Sequence, residues 1–148
     1  MKTMFAVAAA VLVLAMASLS FAGEKPDLGS PEKYEMAEVN LLIGIQSDNL
    51  GLRESAAYML GELQSGKAVI PLMKMLRDDQ RESTRIVAAL ALCRIGDARG
   101  VYAVKRATRF DESNLVQQRC AWFYQQYVDA GAFDFVSSEG GAKNVATR

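Results

Sequence analysis

The chain has 148 residues, 51% of them hydrophobic, with 17 basic and 17 acidic side chains, two cysteines and no histidine. That suits one domain with a real core and excludes a disordered middle, while the balanced charge gives no support to generic polyanion binding. Without histidine the usual general base, the usual zinc ligand and any Ser-His or Cys-His nucleophile are gone.

In chain order, Lys2 is followed by an uncharged apolar run from Met4 to Ala17 and then by small residues ending in Ser20, Phe21 and Ala22. This is the three-part layout of a secretory signal, with cleavage expected after Ala22. The alternative is a retained membrane anchor, but the run is short of the ~20 apolar residues a spanning helix needs and gives way to Ser18 and Ser20. An exported, periplasmic or secreted product is therefore expected, beginning at Gly23 and with no stable membrane insertion. Losing residues 1–22 removes only Lys2, so 16 basic against 17 acidic residues leave a formal net charge of −1.

Residues 23–31, GEKPDLGSP, read as an exposed leader. The domain is expected over 32–136, and the small, polar, glycine-bearing tail 137–148 is expected to be disordered. From Glu32 to about Ala130 the pattern is helical, with one proline, Pro71, and no sustained alternation of the kind strands need. Asp, Ser and Asn at 47–49, 77–80 and 110–114 offer N-caps, and QSGK at 64–67 and GDAR at 96–99 supply turns. Six helices are predicted, at 32–46, 49–64, 67–77, 80–95, 98–109 and 114–130, paired as three antiparallel hairpins.

A shift of 32 positions superimposes the middle of the chain on itself: Arg53 on Arg85, Ala56 and Ala57 on Ala88 and Ala89, Leu60 on Leu92, Leu63 on Ile95 and Val69 on Val101. A second shift sets Cys120 and Ala121 on the paired alanines. One helical hairpin cannot bury its apolar side alone, whereas stacked hairpins cover one another and paired alanines let their helices approach closely. The repeated phrase is a packing instruction.

The segments LRESAAYMLGEL, KAVIPLMKML and IGDARGVYAVKRA resemble the HEAT-repeat family, in particular the short bacterial units found in phycobilin lyases. The likeness covers about residues 41–127. It departs from the pattern at Gln64, Ser65 and Gly66, where Gly-Asp-Pro is usual, and in the third copy, which has Gln117 for the arginine and lacks the glycine. The resemblance implies an all-α, short right-handed solenoid of about three hairpins, with the longer second helices lining its concave side. It says little about function.

On a helical wheel Ala56, Ala57, Leu60 and Leu63 share one arc and Glu54, Tyr58 and Glu62 lie opposite. Repeat translation gives three outward rows: Glu54, Ile86 and Gln118; Tyr58, Leu90 and Trp122; Glu62, Arg94 and Gln126. The middle row is an apolar stripe with polar flanks, the pattern of an interaction surface. For Trp122 a second reading stays open, in which Phe133 and Phe135 pack over it as a cap. Arg53 and Arg85 fall on the inward arc, where a free guanidinium is costly, so each is assigned a structural bond to turn carbonyls or to carboxylates such as Asp48 and Asp79 in the loop before it.

Arg94, Arg99, Lys105, Arg106 and Arg109 face a single Asp97 in segment 94–109, the ordinary charge of a solvated helix. Glu54 and Glu62 are the one carboxylate pair worth testing as an acid/base couple. Cys93 and Cys120 occupy positions whose helical geometry puts their Cα atoms beyond the ~7 Å that a disulfide spans, so two buried thiols are expected. The reading is an exported, non-catalytic module that binds a protein partner, with no nucleic acid, metal or cofactor. Its rivals are a lyase-like enzyme, by analogy with the phycobilin relatives, and a subunit of an envelope assembly.

Overall fold

A computed structural model describes residues 25–127, and six α-helices carry the chain through them. They are α1 (Pro31–Gly44), α2 (Leu50–Glu62), α3 (Val69–Asp78), α4 (Glu82–Ile95), α5 (Ala98–Phe110) and α6 (Asn114–Tyr127). Among the described residues there is no strand. The signal segment 1–22, the residues from 128 onward, the Phe133/Phe135 cap and the tail 137–148 lie outside the described residues.

Local chemistry sets the boundaries. Ser30 caps α1 by accepting from the Lys33 amide, with Pro31 at the first helical position. Asn49 caps α2 through the Leu52 amide, and Asp97 caps α5 through the Arg99 amide. A single 3-10 turn, Gly66–Ala68, precedes α3, capped by Ser65. Pro71 falls in the first turn of α3, where its missing N–H is tolerated. At the end of α4, Gly96 turns the chain with φ of 72°. The equivalent position in the first repeat is Gln64, which adopts φ of 50° although it carries a side chain.

The helices form two layers. In the inner layer α2 packs on α4 and α4 on α6; in the outer layer α3 packs on α5, and each outer helix lies against its own inner partner. Ala56, Ala57, Ala88 and Ala89 are all buried at the centre with Leu60, Leu72, Leu92, Val104 and Val116. The small residues do what the repetition implied. A Cβ placed on Gly61 lies 2.8 Å from the Ala91 Cα, and one on Gly44 lies 2.9 Å from the Ala56 Cβ, so helices α2 and α4, and α1 and α2, are in backbone-level contact. Cys93 and Cys120 are free and buried, and burial pushes each thiol up to about 12.

Arg53 and Arg85 point inward as expected, but their carboxylate partners differ from the expectation. Each does bond the turn before it: Arg53 Nη1 donates to the Ser47 carbonyl at 3.0 Å and Arg85 Nη1 to the Asp79 carbonyl at 2.8 Å. The carboxylate comes from the following repeat instead. Arg53 Nε stands 3.3 Å from Asp79 as an ion pair without hydrogen-bond alignment, and Arg85 forks onto both oxygens of Asp111 at 3.0 Å. Asp48 plays no part in either pair. At the third copy Gln117 keeps only the carbonyl bond, to Asp111 at 2.7 Å. A ladder therefore runs up the loop edge, each arginine tying its own turn to the next one. It ends where the sequence ends it, with Ser47 in place of the first aspartate and Gln117 in place of the last arginine. Burial of Arg85 opposes its charge, and the hydrogen bonds to Asp111 together with the negative charges of Asp111, Glu112 and Glu82 more than offset that, so its guanidinium holds its proton more tightly than usual.

Candidate functional site

Repeat spacing sets the three outward rows along one side of the α2–α4–α6 layer, because every third or fourth residue of an α-helix returns to one face and the inner helices lie side by side. In the middle row Tyr58 and Trp122 are 40% and 51% exposed, enough for each ring to meet a partner; Leu90 between them is half-buried and packed on the core. The stripe is thus two aromatic rings flanking an aliphatic floor.

The polar flanks are less free than their wheel positions suggested. Glu54 is half-buried and accepts from the hydroxyls of Ser83 at 2.6 Å and Thr84 at 3.1 Å, so it joins the first repeat to the second. Glu62 forms an ion pair with Arg94, and the Arg94 guanidinium stacks 4.7 Å from the Tyr58 ring centroid and 5.9 Å from that of Tyr127. One cation thereby gathers α2, α4 and α6. Ile86 is half-buried against the core, and Gln118 and Gln126 are exposed. Tyr127, Ser83 and Thr84 were not singled out in the sequence. Tyr127 translates onto Leu63 and Ile95, core positions, and only the reach of Arg94 from the end of α4 brings it to the surface cluster. A Ser-Thr pair opening α4 was the available signal for Glu54.

The basic residues of 94–109 do not form a patch. Arg94 belongs to the inner layer, Arg99 pairs with Asp97, and Lys105 sits 5.7 Å from the Tyr124 ring centroid. Arg106 lines a cleft of about 720 Å³ between α3 and α5, together with Lys74, Arg77, Ile70 and Phe110, over the Arg85–Asp111 pair. Asp78, Asp79 and Glu112 share that cleft, so neither sign of charge prevails.

Glu32, Glu38, Asp78 and Asp97 are all held below the usual carboxylate range: Glu32 by a backbone hydrogen bond, Glu38 by Lys67, Asp78 by Arg77 and Asp97 by Arg99. Among the described residues no three His, Cys, Asp or Glu side chains converge as for a metal ion, and no helix is long and apolar enough to cross a membrane.

A family model described as HEAT repeats matches residues 38–125. No curated protein matches the chain.

Proposed function

Because the chain belongs to the HEAT-repeat family, whose repeats generally mediate protein–protein interaction, we propose that it is an exported, non-catalytic module that grips a protein partner on the free surface of its inner helices. One observation carries this reading. Tyr58 and Trp122 are large aromatic rings left half in water, and Tyr58 is held in place by Arg94. Aromatic side chains already fixed in the free protein lose little entropy on binding, which is the usual character of interface anchors. Leu90 and Ile86 supply the apolar floor, and Gln118 and Gln126 the hydrogen-bonding rim. Glu54, Glu62 and Arg94 act by holding the surface in shape.

The lyase-like alternative has little to draw on, since the two thiols are buried and protonated at ordinary pH. Export rests on the layout of Met1–Ala22. It is tested by N-terminal sequencing of the protein from a periplasmic fraction, with Gly23 as the expected first residue.

The decisive experiment compares the wild type with Tyr58→Ala/Trp122→Ala as bait in an envelope extract of the native cell. The partner recovered by the wild type should be lost from the double variant, which should keep the helical content of the wild type and melt only a few degrees lower, through loss of the Arg94–Tyr58 stack. Recovery of the same partner, or loss of fold, overturns the assignment of these rings to binding.

A further inference from the structure

The two ends of a repeat stack differ from its middle, because each end presents the positions that an interior repeat buries against its neighbour. Thr84 and Ala91 of α4 face α2 and are 0% and 1% exposed. Their counterparts 32 residues earlier, Leu52 and Met59, are 53% and 42% exposed, and Met36 and Ile43 of α1 are 65% and 66% exposed. Helix geometry sets these four side chains on one face. Leu52 and Met59 lie roughly 160–180° around α2 from Gly61, which abuts α4. Met36 and Ile43 lie roughly 140–160° around α1 from Glu38, which bonds Ser65 and Lys67 of the second repeat. Leu52 Cδ1 approaches Gly44, joining the two halves of the patch.

We infer that this N-terminal end of the stack is a homodimer interface, in which a second copy of the chain docks end to end about a twofold axis. Two observations select a second copy in that orientation. The first is area. The four side chains expose roughly 450 Å² of largely apolar surface, more than half of the ~800 Å² that each partner of a stable complex buries, with the polar rim to supply the rest. Asn40 and Ser55, polar and on the same face, complete the rim.

The second observation is the end of the arginine ladder. Head-to-tail stacking would set Gln117 of one copy against Ser47 of the next, a pair that cannot reproduce the guanidinium–carboxylate bonds joining repeats within the chain. Contact between two N-terminal ends needs no such bond and matches each apolar patch with its own copy, the arrangement that closes at a dimer. The described part of the leader leaves the patch free, since Lys25, Asp27 and Gly29 lie beside the Gln64–Lys67 turn on the other side of α1.

The inference is independent of the groove assigned to Tyr58 and Trp122. Sedimentation equilibrium of the full chain, as the cell processes it, should give twice the chain mass at high concentration and dissociation on dilution. Ile43→Lys/Met59→Lys should weaken self-association by about 100-fold or more, with a melt that matches the wild type at dilutions where both are monomeric, because both side chains already stand in water in one copy. Tyr58→Ala/Trp122→Ala should dimerise as the wild type does. A monomer at all concentrations overturns the inference, as does an association that tolerates both lysines, an assembly that grows beyond two, or a monomer that dimerises only after residues 128–148 are removed.

Discussion

Arg85→Gln isolates the inter-repeat part of the arginine ladder, because Gln117 shows what a glutamine does at that position. It keeps the bond to the turn carbonyl six residues back and reaches no further. In the variant the Asp79 carbonyl bond should survive, while the two 3.0 Å bonds to Asp111 are lost. The side chains of Arg85 and Asp111 are 3% and 7% exposed, against 21% and 15% for the unaligned Arg53–Asp79 pair. Stranding a buried carboxylate costs roughly 3–5 kcal/mol, less whatever the Ser113 amide continues to offset through Asp111 Oδ1. We expect a loss of about 3 kcal/mol, a fall in melting temperature of roughly 10–20 °C for a domain of this size. Arg53→Gln should lose only about 1 kcal/mol, nearer the value of a solvated pair. Adding Asp111→Asn to Arg85→Gln should restore about 1–2 kcal/mol by removing the stranded charge. Urea and thermal denaturation followed by circular dichroism measure all three. Equal losses for the two arginines, or no recovery in the double variant, would refute the ladder as the joint between repeats.

Gly61→Ala should destabilise by about 1–2 kcal/mol despite the better helix propensity of alanine, because its Cβ meets Ala91 backbone at 2.8 Å; Gly66→Ala, with open space at its Cβ, serves as the control in the same denaturation series. Gly96→Ala should cost about 1 kcal/mol in thermal melts from backbone conformation alone, since φ is 72° and nothing crowds the position. Glu38 is held below its ordinary value of 4.5, chiefly by Lys67 and then by Ser65. Its contribution is therefore complete above about pH 4.5 and is lost as pH falls through the lower folded value. Glu38→Gln should flatten that part of the stability–pH curve, and an unchanged acid limb would contradict the bond. At pH 8 the thiols of Cys93 and Cys120 should react slowly with an aromatic disulfide reagent and rapidly in urea; prompt labelling of the folded protein would contradict their burial.

The fold was legible because its signals are local or strictly periodic. Gly96, Asn49 and Asp97 act on backbone within a few residues, and paired alanines at a constant spacing of 32 carry their own packing partner. The inward place of Arg53 and Arg85 was legible for the same reason. Their carboxylates were not, because Asp79 and Asp111 lie 26 residues further on, and a reading that looks to the neighbouring loop stops at Asp48 for Arg53 and at Asp79 for Arg85. The substitutions at Ser47 and Gln117 encode that pairing, but their meaning emerges only once the direction of the bond is known. The surface rows show the same division. Position on the wheel is enough to put Tyr58, Leu90 and Trp122 in one row, while the engagement of Glu54 with Ser83 and Thr84, and of Arg94 with two tyrosines, depends on how far long side chains reach between helices.

The direction of the arginine bonds also bears on how such a molecule can lengthen. Only the central unit owns both a donor for its successor and an acceptor for its predecessor, in Arg85 and Asp79. A tandem copy of that unit would slot between its neighbours with every charge matched, whereas a copied first or last unit would bring a serine or a glutamine into the middle of the array. Evolution by duplication, or a designer extending the protein, has one module to work with.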